Sequence, residues 1–355
     1  MDVWPLINTL FAVSSNRCCK EIRGFQETVT PIVIRTRFQN NEHFLSWKEA
    51  AQNRTDMDRF CSSPFWGIPL NDAFQGASPI FVYQNGDRDL GIFIERKVRG
   101  GVLVMPVDGM WLLGTPLLSA QPTRLFQSLA TYWAAHPLSE GVRQIMFSGI
   151  YPSSPLCDPR LWERLNGWEI DPSGRMVASL KGGLDGFMSR RSKNFRSRLR
   201  RTVKAAKRDG IRVEFMSNAP DTRSLSSLLE RVFDLEGQSW KGQSKRGIDS
   251  GGMRRFYEIM VPLLASEGRL RGLFLVRDGR DLAYLFGGFF DGYFRGLQFS
   301  YLHDEKLGLG NVCQYHMIRR LVEEGCQEYD LGQAMEYKAR WAENHIESKT
   351  FVFQL

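Results

Sequence analysis

The stretch RLRGLFLVRDGRDLAYLFGGFFDGYFRGLQFSYL, Arg269 to Leu302, decides the fold. Two Asp-Gly pairs, Asp278–Gly279 and Asp291–Gly292, interrupt runs of aliphatic and aromatic residues. Asp-Gly between such runs marks a tight hairpin turn, so the stretch predicts three consecutive antiparallel strands. NVCQYHMIRRLVEEG follows, with apolar residues at Val312, Tyr315, Met317, Ile318, Leu321 and Val322. That is helical spacing, and Gly325 suits the helix C-cap. CQEYDLG, Cys326 to Gly332, reads as one more strand.

The first half shows the same order. PIVIRTRF (Pro31–Phe38) predicts a strand, and NNEHFLSWKEAAQN a helix carrying Phe44, Leu45, Trp47 and Ala51. SPIFVYQNGDRDLGIFIERKVRGGVLVMPVDGMWLLG predicts consecutive strands with turns at Asn-Gly and Gly-Gly. PTRLFQSLATYWAAH then predicts a helix with Pro122 near its start, and RQIMFSGI a strand. The expected class is α/β (α+β), a duplicated domain in which each copy is a mixed, mainly antiparallel sheet flanked by helices. The boundaries read as a weakly ordered lead-in over 1–30, a first domain over 31–178 and a second over 179–355. Pro and Gly collect near the junction, in IDPSGRMVASLKGG.

The chain has 355 residues, is 43% hydrophobic and 24% charged, and carries a net charge of +8. These values fit a folded two-domain protein. Ten Lys or Arg and no acid fall between Arg190 and Arg208, so the rest of the chain is nearly neutral. Phe195, Leu199 and Val203 recur every fourth residue through this run, which predicts a basic helix over 187–209. One concentrated patch of cations implies an anionic partner that meets one place: a nucleic acid, a lipid surface or a phosphate-bearing substrate. Arg198, Arg200 and Arg201 are its central candidates.

Six cysteines, at 18, 19, 61, 157, 313 and 326, form no CxxC and no zinc spacing with histidine. No metal site is expected, and unpaired thiols imply a reducing, cytoplasmic setting. No run of about 18 apolar residues is present, so no membrane span is expected. The start, MDVWPLINTLFAV, lacks the basic region of a signal peptide.

Four places carry candidate chemistry. EKLGLGNV, Glu305 to Val312, lies between a strand and a helix. Gly308 and Gly310 let backbone approach a ligand, and the helix N-terminus beyond them suits a pyrophosphate; a plain strand-to-helix turn is the competing reading. Past the last strand, Tyr337, Lys338, Arg340 and Trp341 cluster within about one helical turn. A Tyr at a strand end can protonate a leaving group, and a capping segment is the alternative. In the polar, Gly-rich run DLEGQSWKGQSKRGI, Trp240 either covers a cleft or anchors a mobile loop. His303, after the third strand and near the Gly-x-Gly loop, is the best-placed histidine for acid–base work.

The second half resembles the GNAT acyltransferase superfamily. The closer likeness is to a branch of two-domain acetyltransferase-like proteins associated with bacterial cellulose and exopolysaccharide synthesis, related to the Fem-type aminoacyl transferases. The residues that carry it are EGQSWKG (Glu236–Gly242), FYEIMVPLLASEGRLRGLFL (Phe256–Leu275), LGLGN (Leu307–Asn311) and YDLGQAMEYKARWA (Tyr329–Ala342), preceded by the basic run. The resemblance implies tandem GNAT-like domains and transfer of an acyl group from acyl-CoA, acetyl-CoA in the simplest case, to an amine or hydroxyl of a small or sugar-linked acceptor. It places coenzyme A on Leu307, Gly308, Gly310 and Asn311. Glu305 stands where the family loop has Arg or Gln, and a carboxylate there repels phosphate. Tyr337 would protonate the thiolate, with His303, Asp304 or Glu236 as base and a backbone N–H at the end of Tyr293–Tyr301 as oxyanion donor. Trp240, Lys241, Asp330, Lys338 and Arg340 would hold the acceptor. Two other readings stay open: a Fem-like transferase fed by aminoacyl-tRNA, with the tRNA on residues 190–208, and a non-catalytic subunit docking at an anionic membrane surface through the same residues.

Overall fold

The computed structural model describes residues 30–34, 42–52, 54–85, 89–98, 101–135, 142–164, 167–216, 221–244, 247–290, 292–302 and 307–354. The expected lead-in, up to residue 29, lies outside them. The chain divides into two compact units, residues 1–173 with 347–355, and 174–346.

The elements up to the division are β1 (Thr30–Ile34), α1 (Glu42–Gln52), α2 (Pro64–Phe74), β2 (Ile80–Asn85), β3 (Asp89–Val98), β4 (Gly101–Pro106), β5 (Leu117–Leu118), α3 (Pro122–Ala135), β6 (Val142–Ile150) and α4 (Pro159–Arg164). Then come β7 (Trp168–Ser179), α5 (Gly183–Ser189), α6 (Lys193–Arg208), β8 (Arg212–Phe215), α7 (Thr222–Gln238), α8 (Trp240–Gln243) and α9 (Gly251–Ser266). The chain ends with β9 (Leu270–Arg277), β10 (Arg280–Phe290), β11 (Tyr293–Tyr301), α10 (Leu309–Glu323), β12 (Glu328–Gln333) and β13 (Asn344–Gln354).

In the first unit β1 to β4 form an antiparallel meander. Helix α3 then crosses over so that β6 lies parallel to β4, as a parallel pair requires. In the second unit β8 to β11 form the meander, and α10 crosses over to lay β12 parallel to β11. In each unit the sheet is thus mixed and mainly antiparallel and flanked by helices, as expected. The hairpins turn at Asp278–Gly279 and before Gly292, with Gly279 and Gly292 at positive φ.

The closing strands are exchanged. β7 follows β6 in the chain but pairs antiparallel with β12, whereas β13 follows β12 and pairs antiparallel with β6. The sequence placed 347–355 with the second half. They lie in the first unit because Phe351 and Phe353 complete its aromatic core with Phe93, Phe126, Trp133 and Phe147.

The basic run also differs from its expectation. It is not one helix over 187–209: α5 ends at Ser189, and α6 restarts at Lys193 behind Ser192, whose hydroxyl accepts from the Phe195 N–H at 3.2 Å. Arg190 and Arg191 lie in the break, both ion-paired to Glu343.

In the second unit β10 is buried on both faces over most of its length, which is why it reads as an unbroken apolar run rather than an alternating one. Helix α10 packs on it through Leu309, Val312, Cys313, Met317, Ile318 and Leu321. The described cysteines, 61, 157, 313 and 326, carry no disulfide. No described helix is long and apolar enough to cross a membrane.

Candidate functional site

The site begins with a split between parallel strands. β11 pairs with β12 only over Tyr293–Arg295 against Glu328–Asp330, although β11 runs on to Tyr301. Gly296 sits where the strands part, and a Cβ there would lie 2.9 Å from the Tyr329 ring. Beyond that point the strands enclose one side of a cavity of about 630 Å³, within the range of small-molecule sites. The first turn of α10 and the turn after β12 supply the other walls.

Gly308 caps α10 at φ 65°, a left-handed conformation that a side chain disfavours. Gly310 follows in the first turn, where a Cβ would come 3.3 Å from the Phe299 ring. Both line the cavity with Asn311, so bare backbone of a helix N-terminus faces the space. Its N–H groups and positive partial charge suit phosphate oxygens. Leu307 precedes this loop but is not among the lining residues. Helix α6 packs against α10, and the Thr202 methyl lies 3.5 Å from where a Gly308 Cβ would be. Arg198, Arg200 and Arg201 are exposed on α6 and form no ion pair with a described residue.

The turn after β12, a single 3₁₀ turn at Glu336–Lys338, brings Tyr337, Lys338 and Arg340 to the cavity. Burial, reinforced by nearby Tyr301, pushes the Tyr337 phenol up to about 12, so it holds its proton at neutral pH. Lys338 Nζ donates to the Gln333 carbonyl at 2.9 Å. Burial, with the charge of Arg295 beside it, lowers its pKa to about 8. Lys241, on α8, donates to Gln298 Oε1 at 3.0 Å and to the Phe299 carbonyl at 2.6 Å. Its pKa is lowered by burial, with Glu236 opposing.

Besides Leu307, two expected site residues lie outside the cavity lining. Asp330 points away from the cavity, fully buried, where its carboxylate pairs with Arg175 and Arg295 and accepts from the Tyr293 hydroxyl at 2.6 Å and the Gly332 N–H at 2.7 Å. Burial alone would raise its pKa; the two guanidiniums outweigh that and hold it near about 2. It shapes the end of β12 and is not a cavity residue. Glu236, expected as a base, is fully buried outside the lining; one oxygen accepts from the Tyr284 hydroxyl at 2.9 Å and the other has no partner among the described residues. His303, Asp304 and Glu305 lie outside the described residues, as does the side chain of Trp240.

Sequence reasoning missed Gln298, Tyr301 and Gln314, which also line the cavity. Gln298 and Tyr301 sit in a strand of ordinary β composition, and Gln314 on a helix flank, so no local signal singles them out. Among the described residues no three His, Cys, Asp or Glu could together hold a metal ion.

Residues 193–339 match the family model of the acetyltransferase (GNAT) domain. A sequence search of curated proteins finds no match. Among solved structures, FemX superposes with a TM-score of 0.63 at 11% identity, over 88% of this chain and 96% of that one. The C-terminal domain of a putative lysylphosphatidylglycerol synthetase from Agrobacterium fabrum gives a TM-score of 0.53 at 12% identity, over 88% of this chain and 92% of that one. L-PGS from Bacillus licheniformis gives 0.51 at 12% identity, over 88% and 91%. At such identities the likeness establishes the shared fold.

Proposed function

We propose that a GNAT domain built this way transfers an acyl group from acyl-CoA to an amine or hydroxyl of a small or sugar-linked acceptor, of the kind used in polysaccharide or cell-envelope assembly. One observation carries the reading: the glycine-lined N-terminus of α10 and the Tyr337 phenol open onto the same cavity, where β11 and β12 part.

The first turn of α10 would hold the pyrophosphate, with Asn311 beside it. Glu305 replaces the Arg or Gln of the family loop, so the burden of binding falls on backbone amides and on the cations of α6. The thioester would lie along β11 past Arg295, where amides no longer paired to β12 can meet the developing oxyanion. The acceptor nitrogen or oxygen attacks the carbonyl carbon, the C–S bond breaks, and the sulfur takes the Tyr337 proton. The acceptor's own proton leaves to water and restores the phenol. Tyr337 begins in the form a proton donor needs, since the buried phenol is protonated at neutral pH.

Calorimetric titration with acetyl-CoA, then longer acyl-CoAs, tests the reading. Binding is expected for the parent chain and its loss in Gly310→Trp, whose indole would fill the space next to Phe299. No heat from a folded parent chain would overturn acyl-CoA as donor.

A second reading is favoured by α6. It reaches Gly308 through Thr202 and carries exposed cations at Arg198, Arg200 and Arg201, along which a donor far larger than coenzyme A could lay its backbone. An aminoacyl-tRNA donor would bind with a steep salt dependence, reduced when Arg198, Arg200 and Arg201 are neutralised.

A further inference from the structure

The cavity described above contains two ammonium groups and, among the described residues, no carboxylate to balance them. Lys241 and Lys338 both line it, and the remaining described polar lining is hydroxyl, amide or guanidinium. Neither lysine forms an ion pair with a described residue; each is tied instead to neutral oxygens. The tethers sit on opposite sides of the split. Lys241 is anchored to β11 through Gln298 and the Phe299 carbonyl, and Lys338 to β12 through the Gln333 carbonyl. An ammonium has three N–H donors, so one on Lys241 and two on Lys338 remain for a ligand.

Holding two like charges in a partly desolvated space without a counterion is unfavourable, and a structural salt bridge would have supplied one. Asp330 is close enough to favour the Lys338 cation and Glu236 the Lys241 cation, but the Asp330 oxygens are occupied by Arg175 and Arg295, and Glu236 is buried behind the lining, hydrogen-bonded to Tyr284 and forming no ion pair with either lysine. We propose that Lys241 and Lys338 form a two-sided clasp for an anionic group, a carboxylate or a phosphate, carried by the acceptor. This rests on the acyl-transfer reading for the word acceptor; the anion site itself does not. The donor's phosphates are already provided for at the N-terminus of α10, and the clasp lies at the strands where the acyl group would be delivered. The preferred acceptor is therefore an acidic molecule, such as an amino acid, a uronic acid or a sugar phosphate, rather than a neutral sugar or a polyamine.

The clasp has a signature that a merely structural pair of lysines lacks. The groups that face Lys338 are Arg295 of β11, Lys241 of α8 and the Tyr337 ring, with Asp330 of β12 opposing the two cations. In the empty site burial first, then Arg295 and Lys241 against Asp330, lower the Lys338 pKa to about 8, and an anion beside it must raise that value. Binding at pH 8.5 then takes up about half a proton or more per ligand, and affinity falls as pH rises through about 8.

The test is calorimetry at pH 8.5 with malonate and with inorganic phosphate as probes, in two buffers of different ionisation enthalpy, with coenzyme A absent and then saturating. Proton uptake, retained with coenzyme A present and lost in Lys338→Met, is the expected result. The preferred probe separates a carboxylate-bearing acceptor from a phosphorylated one. Binding without proton uptake, binding unchanged in both Lys338→Met and Lys241→Met, or binding abolished by coenzyme A would each overturn the clasp. A probe bound with proton uptake by a chain that ignores every acyl-CoA would sink the donor assignment and leave the anion site standing. The lysine variants keep the fold if their circular dichroism and melting match the parent, and Lys338→Arg, which cannot lose its proton, keeps binding without uptake.

Discussion

Helix α3 of the first unit and helix α10 of the second hold the same place, each crossing between a parallel strand pair. Their first turns differ. α3 starts at Pro122 and turns Leu125 and Phe126 into the core, where Phe126 lies 5.2 Å from Phe147 and 5.1 Å from Phe353, ring to ring. α10 starts behind Gly308 and places Gly310 where a side chain would have stood, beside a cavity. One copy fills the position with rings and the other leaves backbone bare. Similar topology therefore does not give the two units similar chemistry at this helix start; a few side chains decide whether it is packed or open.

The comparison can be broken from either side. The largest effect is expected at Asp330, which has no counterpart among the aromatic groups of the first unit. Asp330→Ala leaves Arg175 and Arg295 buried without their shared carboxylate and should cost about 3–5 kcal/mol in urea unfolding. The folded pKa, near about 2, lies below the ordinary value of about 3.9 for an unfolded chain. The parent's contribution from this carboxylate is thus complete above pH ~4 and disappears as pH falls toward ~2, a dependence that Asp330→Ala should lack.

Phe126→Ala opens the first unit at the position that is open in the second. A loss of about 3–5 kcal/mol is expected from the cavity, read by the same unfolding measurement. The calorimetric stoichiometry for acetyl-CoA should stay at one site, because α3 offers no glycine-lined N-terminus. A second site appearing would show that space alone, not bare backbone, separates the units.

Tyr337→Phe removes one hydroxyl from the second unit's cavity. The expected result is a fall in kcat of about 100-fold with little change in KM, measured once an acceptor is in hand. A fall in affinity at constant kcat would assign the phenol to binding. The smallest effect on the fold is expected from neutralising Arg198, Arg200 and Arg201 to Gln, within about 0.5 kcal/mol by thermal melting, since they are exposed and unpaired with described residues. The same variant should show a shallower salt dependence of binding to any polyanionic donor.

How much of this was legible in the sequence follows from the range of each interaction. The hairpins of the second unit and helices α1, α3 and α10 were readable because turn chemistry and apolar spacing are local. Helix α2 was not expected: with Pro64, Pro69 and Gly67 in an apolar run buried on most sides, it has neither good helix formers nor an amphipathic stripe. Alternation along β12 puts Tyr329 and Leu331 on the cavity side and Asp330 on the other, so the expectation that Asp330 holds the acceptor fails on the period of a strand. It could not say that Asp330 faces two arginines, one of them Arg175, far back in the chain. The Gly-x-Gly loop and Tyr337, singled out by type and position, line the cavity. The anchoring of Lys241 on Gln298 and Phe299 was not legible, because residues of α8 and β11 meet only once the sheet has formed.

The exchanged closing strands set a timetable for making the protein. On a ribosome β6 emerges early, yet its partner β13 is translated about 200 residues later. At elongation rates of about 5–20 residues per second, this is a delay on the order of 10–40 s. Throughout it the edge of β6 and the rings of Phe126 and Phe147 wait without Phe351 and Phe353. A nascent chain stalled before β13 should therefore remain open to proteases and chaperones over its first half, and release of the final strand should close that half at once.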